Sequence, residues 1–127
     1  MTHQKAGQPE PDAIAAIGPY EEWPALPGDE DLGSLYVGAD GMLSRFFREP
    51  VPWSSIRRLR LVRIEDPDGF ERTNLEADTG VEGLELTLET ARTPDSDFHD
   101  RVRSIVDRLH AWLAAHGVDE SSWPSVE

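Results

Sequence analysis

One stripe of apolar side chains near the end of the chain sets what the rest must fold into. Phe98, Val102, Ile105, Val106, Leu109, Trp112 and Leu113 stand at offsets 0, 4, 7, 8, 11, 14 and 15, the spacing of one continuous face of an α-helix. Asp95 and Ser96 stand where side-chain oxygens accept from the first free N–H groups, and Asp97 adds negative charge to the first turn. Gly117 supplies the left-handed stop. These signals predict a helix over residues 96–116, which must lay its stripe on a platform.

The platform is written upstream in period two. Ser34–Val37 and Met42–Phe47 flank Gly38-Ala-Asp-Gly41, a hairpin turn signal. Pro50 and Pro52 cannot donate to a ladder and predict an interruption there. From Arg57 to Ile64 the alternation breaks once, which a bulge near Leu61–Val62 would restore. Asp66-Pro-Asp-Gly69 is a turn, Phe70–Ala77 a weaker strand, and Asp78-Thr-Gly80 a second turn. Gly83–Glu89 alternates with Leu84, Leu86 and Leu88 on one face and Glu85, Thr87 and Glu89 on the other, the mark of a strand with one wet side. The expected fold is α+β: an antiparallel sheet of about five strands over 34–91, packed against the long C-terminal helix.

The flanks divide accordingly into a flexible lead-in over 1–11, a single domain over 12–117 and a polar tail over 118–127. Asp12–Ile17 reads as one or two helical turns behind Pro11, ended by Gly18-Pro19. Tyr20 to Gly33 reads as a loop pinned by Trp23 and Leu26.

Composition narrows function mainly by exclusion. The absence of cysteine removes disulfides, thiolate catalysis and cysteine metal sites, and is compatible with a cytoplasmic protein. No apolar run is long enough for a membrane span. His99 and His110 share a helical face but lie about 16 Å apart along the axis, too far for one ion; His3 lies in the lead-in, and His116 sits at the helix C-terminus, where a cation is favoured. Asp66–Glu71 lacks the ligand spacing of a calcium loop, Gly38–Gly41 lacks the basic residue of a phosphate loop, and no serine sits in a nucleophile elbow. The expectation is a non-enzymatic protein without cofactor or metal.

Charge gives the positive signal. The net charge of −13 opposes nucleic acid as a direct ligand and favours a protein partner with a basic surface. Yet residues 42–64 carry six arginines against one acid, while 65–94 carry nine acids against two arginines. Arg45, Arg57, Arg58, Arg60 and Arg63 are therefore candidate ligands for a carboxylate or phosphate. Cross-strand pairing with Glu71, Glu76, Glu82, Glu85 and Glu89 is the structural alternative. Trp123, beside Pro124 in a non-periodic acidic segment, is a candidate partner anchor.

The order Leu35-Tyr-Val, turn, second strand, Val51-Pro-Trp53-Ser-Ser-Ile56, further strands and closing amphipathic helix resembles the bacterial pleckstrin-homology-like domains over residues 34–116. That family usually has seven strands before its helix. Two beyond the five read above would come from residues 18–33 or from splitting a segment. The resemblance implies a phosphate- or lipid-headgroup-binding module as the alternative to an adaptor acting through protein contact. An acidic inhibitor of immunity type is a third possibility, weakened by the segregated arginines.

Overall fold

A computed structural model describes residues 10–43, 49–81 and 85–127. Residues 1–9 of the expected 1–11 lead-in, Arg45 with its neighbours at 44–48, and residues 82–84 lie outside the described residues. Seven strands and two α-helices are described. Helix α1 (Pro11–Ala16) precedes β1 (Tyr20–Trp23), β2 (Leu35–Gly38), β3 (Gly41–Leu43) and β4 (Pro50–Pro52), a four-stranded antiparallel sheet in chain order. Strands β5 (Arg58–Glu65), β6 (Glu71–Asp78) and β7 (Glu85–Ala91) form a second, three-stranded antiparallel sheet. Helix α2 (Ser96–Ala115) closes the domain.

The stripe behaves as its spacing demands. Phe98, Val102, Ile105, Leu109 and Leu113 are buried, and Val106 and Trp112 are partly so. The Asp95 carboxylate accepts from the amides of Asp97 and Phe98. At the other end Gly117, at φ +74°, lets Val118 N–H reach back to the Leu113 carbonyl at 3.0 Å and Gly117 N–H to Ala114 at 3.2 Å, a paired closure of the last free carbonyls. One core unites α2 with Leu35, Val37, Met42 and Val51 of the first sheet and Leu59, Leu75, Ala77 and Leu88 of the second. Trp53 is fully buried in the turn between the sheets, and its indole N–H donates to the Gly38 carbonyl. A smaller cluster packs Ile17, Ala13 and Ile14 of the α1 region on Tyr36 and Leu43.

Four expectations need correction. The sheet of about five strands is two sheets, because the segment over 50–56 turns the chain from one layer to the next. Pro50 and Pro52 do not interrupt pairing: they lie in β4, an edge strand paired only with β3, where a missing outward N–H costs nothing. Tyr20–Trp23 is a strand and not a loop. It is an edge too, mostly exposed, and so lacks the apolar alternation of an inner strand. The irregularity lies between Leu75 and Glu76 where β6 meets β7, not at Leu61–Val62, since β5 and β6 pair without a break.

That displaced bulge has a chemical consequence. Opposite it, β7 shifts phase, and Glu89 turns to the core side, 1% exposed, where its carboxylate meets Arg101 of α2 at 3.0 Å. Glu89 thus pairs with the helix and not with the β5 arginines. A second buried pair ties the β1–β2 connection to the second sheet. Asp29, 2% exposed, meets the Arg72 guanidinium at 2.9 Å and accepts from the Arg92 amide. Arg72 also holds Asp66 at 3.1 Å and donates to Thr90. Arg101 and Arg108 both lie within cation–π range of Trp23, and Arg108 pairs with Glu21.

Leu109 is fully buried at the centre of the shared core. Leu109→Ala is expected to destabilise by roughly 2–5 kcal/mol in urea unfolding, against under about 0.5 kcal/mol for Arg103→Ala at an exposed site. A loss below about 1 kcal/mol for Leu109→Ala would show that α2 presents another face to the sheets.

Candidate functional site

The β5 arginines do not form one free patch. Side chains alternate along a strand, so Arg58 and Arg60 stand on one face and Arg63 on the other. Arg60 meets Glu85 at 2.8 Å, and Arg63 meets Glu71 at 2.7 Å. Arg58 lies 3.9 Å from Glu127, both well exposed. Such pairs contribute little to stability, but they occupy the guanidinium groups. Arg57 differs: it is exposed, has no carboxylate partner among the described residues, and lies against the backbone of Gly80. A Cβ at Gly80 would stand 2.7 Å from that guanidinium, so the glycine makes its bed.

On the outer face of the second sheet, Arg60 organises two glutamates. Burial and a hydrogen bond with Glu85 push the Glu76 carboxyl above the usual range, against a lowering contact from Asn74. The hydrogen bond from Arg60, and then that with Glu76, hold Glu85 below it.

Trp123 is not a free anchor. Its indole N–H donates to the Val118 carbonyl at 3.0 Å, and its ring rests 5.1 Å from that of His110. His110 Nε2–H donates to the Pro124 carbonyl, which can only accept. These contacts deliver the segment that follows to β5. Glu127 N–H donates to the Leu59 carbonyl at 3.0 Å, and Leu61 N–H donates to the Glu127 carbonyl at 3.2 Å. Leu59 and Val126 form a parallel bridge. The residues after Gly117 are therefore seated on the domain, with Val118, Trp123 and Val126 on its core.

Between the turn over Trp53–Ser55 and the C-terminal end of α2 lies a cleft of about 530 Å³. Its polar edge is made by Ser54, Arg57, His116 and Ser122, and its apolar wall by Trp112, Leu113 and Val118, with no acidic side chain lining it among the described residues. His116 stacks on Trp112 at 3.8 Å and donates Nδ1–H to the Trp112 carbonyl. Of the five candidate residues that are described, Arg57 alone lines this cleft. Sequence reasoning missed Trp112, His116 and Ser54 as its companions, because they come together only when α2 docks. The Trp112 indole nitrogen is buried without a hydrogen-bond partner among the described residues.

Among the described residues no group of three or more His, Asp or Glu side chains is placed to hold a metal ion. No described helix is long and apolar enough to cross a membrane. No family model, no curated protein and no solved structure matches this chain.

The Glu76–Glu85 pair yields a pH prediction. A carboxyl raised in the folded state contributes stability that is present below its unfolded pKa and is lost as pH rises through the folded value. Glu76→Gln removes that loss. The variant is expected to exceed the parent in urea midpoint at pH 7, with the difference vanishing near pH 4. A variant less stable than the parent at pH 7 would show that the Glu76 charge is favourable where it stands.

Proposed function

We propose that this chain is a small, cytoplasmic, non-enzymatic binding or adaptor domain that works through protein–protein contact. The observation that carries this reading is the seating of residues 123–127 along β5. An extended segment, anchored by Trp123 and Pro124, already takes hydrogen bonds from the strand edge at Leu59 and Leu61. Backbone direction alternates along a strand, so Arg63 and Glu65 present their amides on the same edge. Among the described residues no strand pairs with β5 there. That continuation is a template for strand addition by a partner, in which backbone bonds supply affinity and side-chain pockets supply choice. The net charge of −13 favours a partner that is basic elsewhere.

The alternative is a phosphate- or lipid-headgroup-binding module. What speaks for it is strand number and order: four strands, then three, then a closing helix, a count that pleckstrin-homology-like domains usually have. The occupied state of Arg60 and Arg63 and the net −13 charge weigh against it.

A displayed random-peptide library separates the two readings. Peptides enriched on the parent chain are expected to fail on Arg63→Pro, which deletes an outward edge amide at a position where an edge strand tolerates proline. Circular dichroism of the variant checks that it is folded. No enrichment, together with binding to phosphoinositide vesicles at low salt that fades at moderate salt, would replace the adaptor reading with the phosphate-binding one.

A further inference from the structure

We infer that the cleft between the Trp53–Ser55 turn and the end of α2 is a recognition pocket for one apolar residue bearing a single carboxylate, supplied by a protein partner. The inference rests on the adaptor reading only for the source of that residue; the pocket itself stands on its own geometry.

Charge is the first observation. In a chain of net −13, a concave surface of about 530 Å³ that presents Arg57 and, among the described residues, no acidic side chain in its lining is a place where an anion can be met. Arg57 stands in it without a carboxylate partner among the described residues, whereas Arg60, Arg63, Arg72, Arg92 and Arg101 all have one within 3.1 Å. Its guanidinium is positioned by contact with Gly80, with no ion pair to it among the described residues, so its fork of donors is open to a planar anion. Ser54 and Ser122 add hydroxyls at the same rim.

Shape and polarity are the second. Trp112, Leu113 and Val118 give the pocket an apolar wall, and His116 stacked on Trp112 stiffens it. A bare phosphate would leave that wall wet. An apolar side chain would cover it, while an adjacent carboxylate reached Arg57. One uncompensated cation matches one negative charge; a headgroup with several would meet the repulsion of the whole chain. The end of α2 does not oppose this through free carbonyls, because Trp112, Leu113 and Ala114 carbonyls already accept from His116, Val118 and Gly117.

The chain itself supplies the third. In its own seated segment, Val126 packs on the core while the neighbouring Glu127 carboxylate stands 3.9 Å from Arg58. An apolar residue followed by an acid, set beside a β5 arginine, is thus an arrangement the fold already accommodates. A peptide source is favoured over a lipid for that reason.

The test uses the full chain labelled with 15N and follows the four tryptophan indole N–H signals. N-acetylleucine, with one carboxylate, is expected to shift the Trp112 indole and the His116 amide at millimolar concentration. N-acetylleucinamide, the same body without charge, is expected to bind at least tenfold more weakly. Inorganic phosphate is expected to move these signals less than N-acetylleucine does at equal concentration. Arg57→Gln should weaken the N-acetylleucine response at least fivefold, and Arg103→Gln, exposed on α2 and outside the cleft, should leave it unchanged. Equal response to acid and amide, indifference to Arg57→Gln, or stronger binding of phosphate than of N-acetylleucine would each overturn the inference. Silence toward every probe would overturn it too, and would leave the strand-edge reading standing, because that one is read at Arg63.

Discussion

Neither sheet can bury its own inner face, and the apolar stripe of α2 is what both depend on. The first sheet has strands of three and four residues and the second has three strands, sizes that are marginal in isolation. Ile105 and Leu109 are fully buried in a core that draws on both layers. A helix in that position acts as a common wall, and losing it would leave two small layers with wet apolar faces.

Charge then fixes how the layers meet. Two carboxylates, Asp29 and Glu89, are taken almost wholly out of water, and each is met by an arginine from another element. Replacing one partner alone would leave a buried, uncompensated charge, a far larger cost than losing a surface pair. These contacts join the β1–β2 connection to β6 and α2 to β7. Arg101 and Arg108 extend the same logic to Trp23 of β1. The acidic chain therefore spends most of its described arginines on its own architecture. Arg57 is exceptional because its neighbour is a glycine backbone and not an acid.

Much of this is legible in the amino-acid sequence itself. The helix, its Asp95 cap and its Gly117 stop follow from local chemistry alone, as do the turns at Asp66–Gly69 and Gly38–Gly41. The edge strands do not. Tyr20–Trp23 and Pro50–Pro52 need a partner on one side only, so neither apolar alternation nor a full set of amides is required of them. The reversal of Glu89 is invisible to a period-two reading, because a bulge changes which face each later residue takes. Cross-strand pairing of Arg60 and Arg63 was foreseeable from the glutamates downstream. The cleft at Arg57 was not, since Ser54 and His116 are 62 positions apart and meet only through the docking of α2.

The central claim is that both sheets and α2 share one cooperative core, with the candidate surfaces arranged on its outside. Native-state hydrogen exchange tests it most directly. The amides of Val37 in β2, Leu75 in β6 and Leu109 in α2 are expected to exchange with the same opening free energy, equal to that of global unfolding. Exchange of Val37 at a clearly lower free energy than Leu75 and Leu109 would contradict it, showing a first sheet that opens on its own.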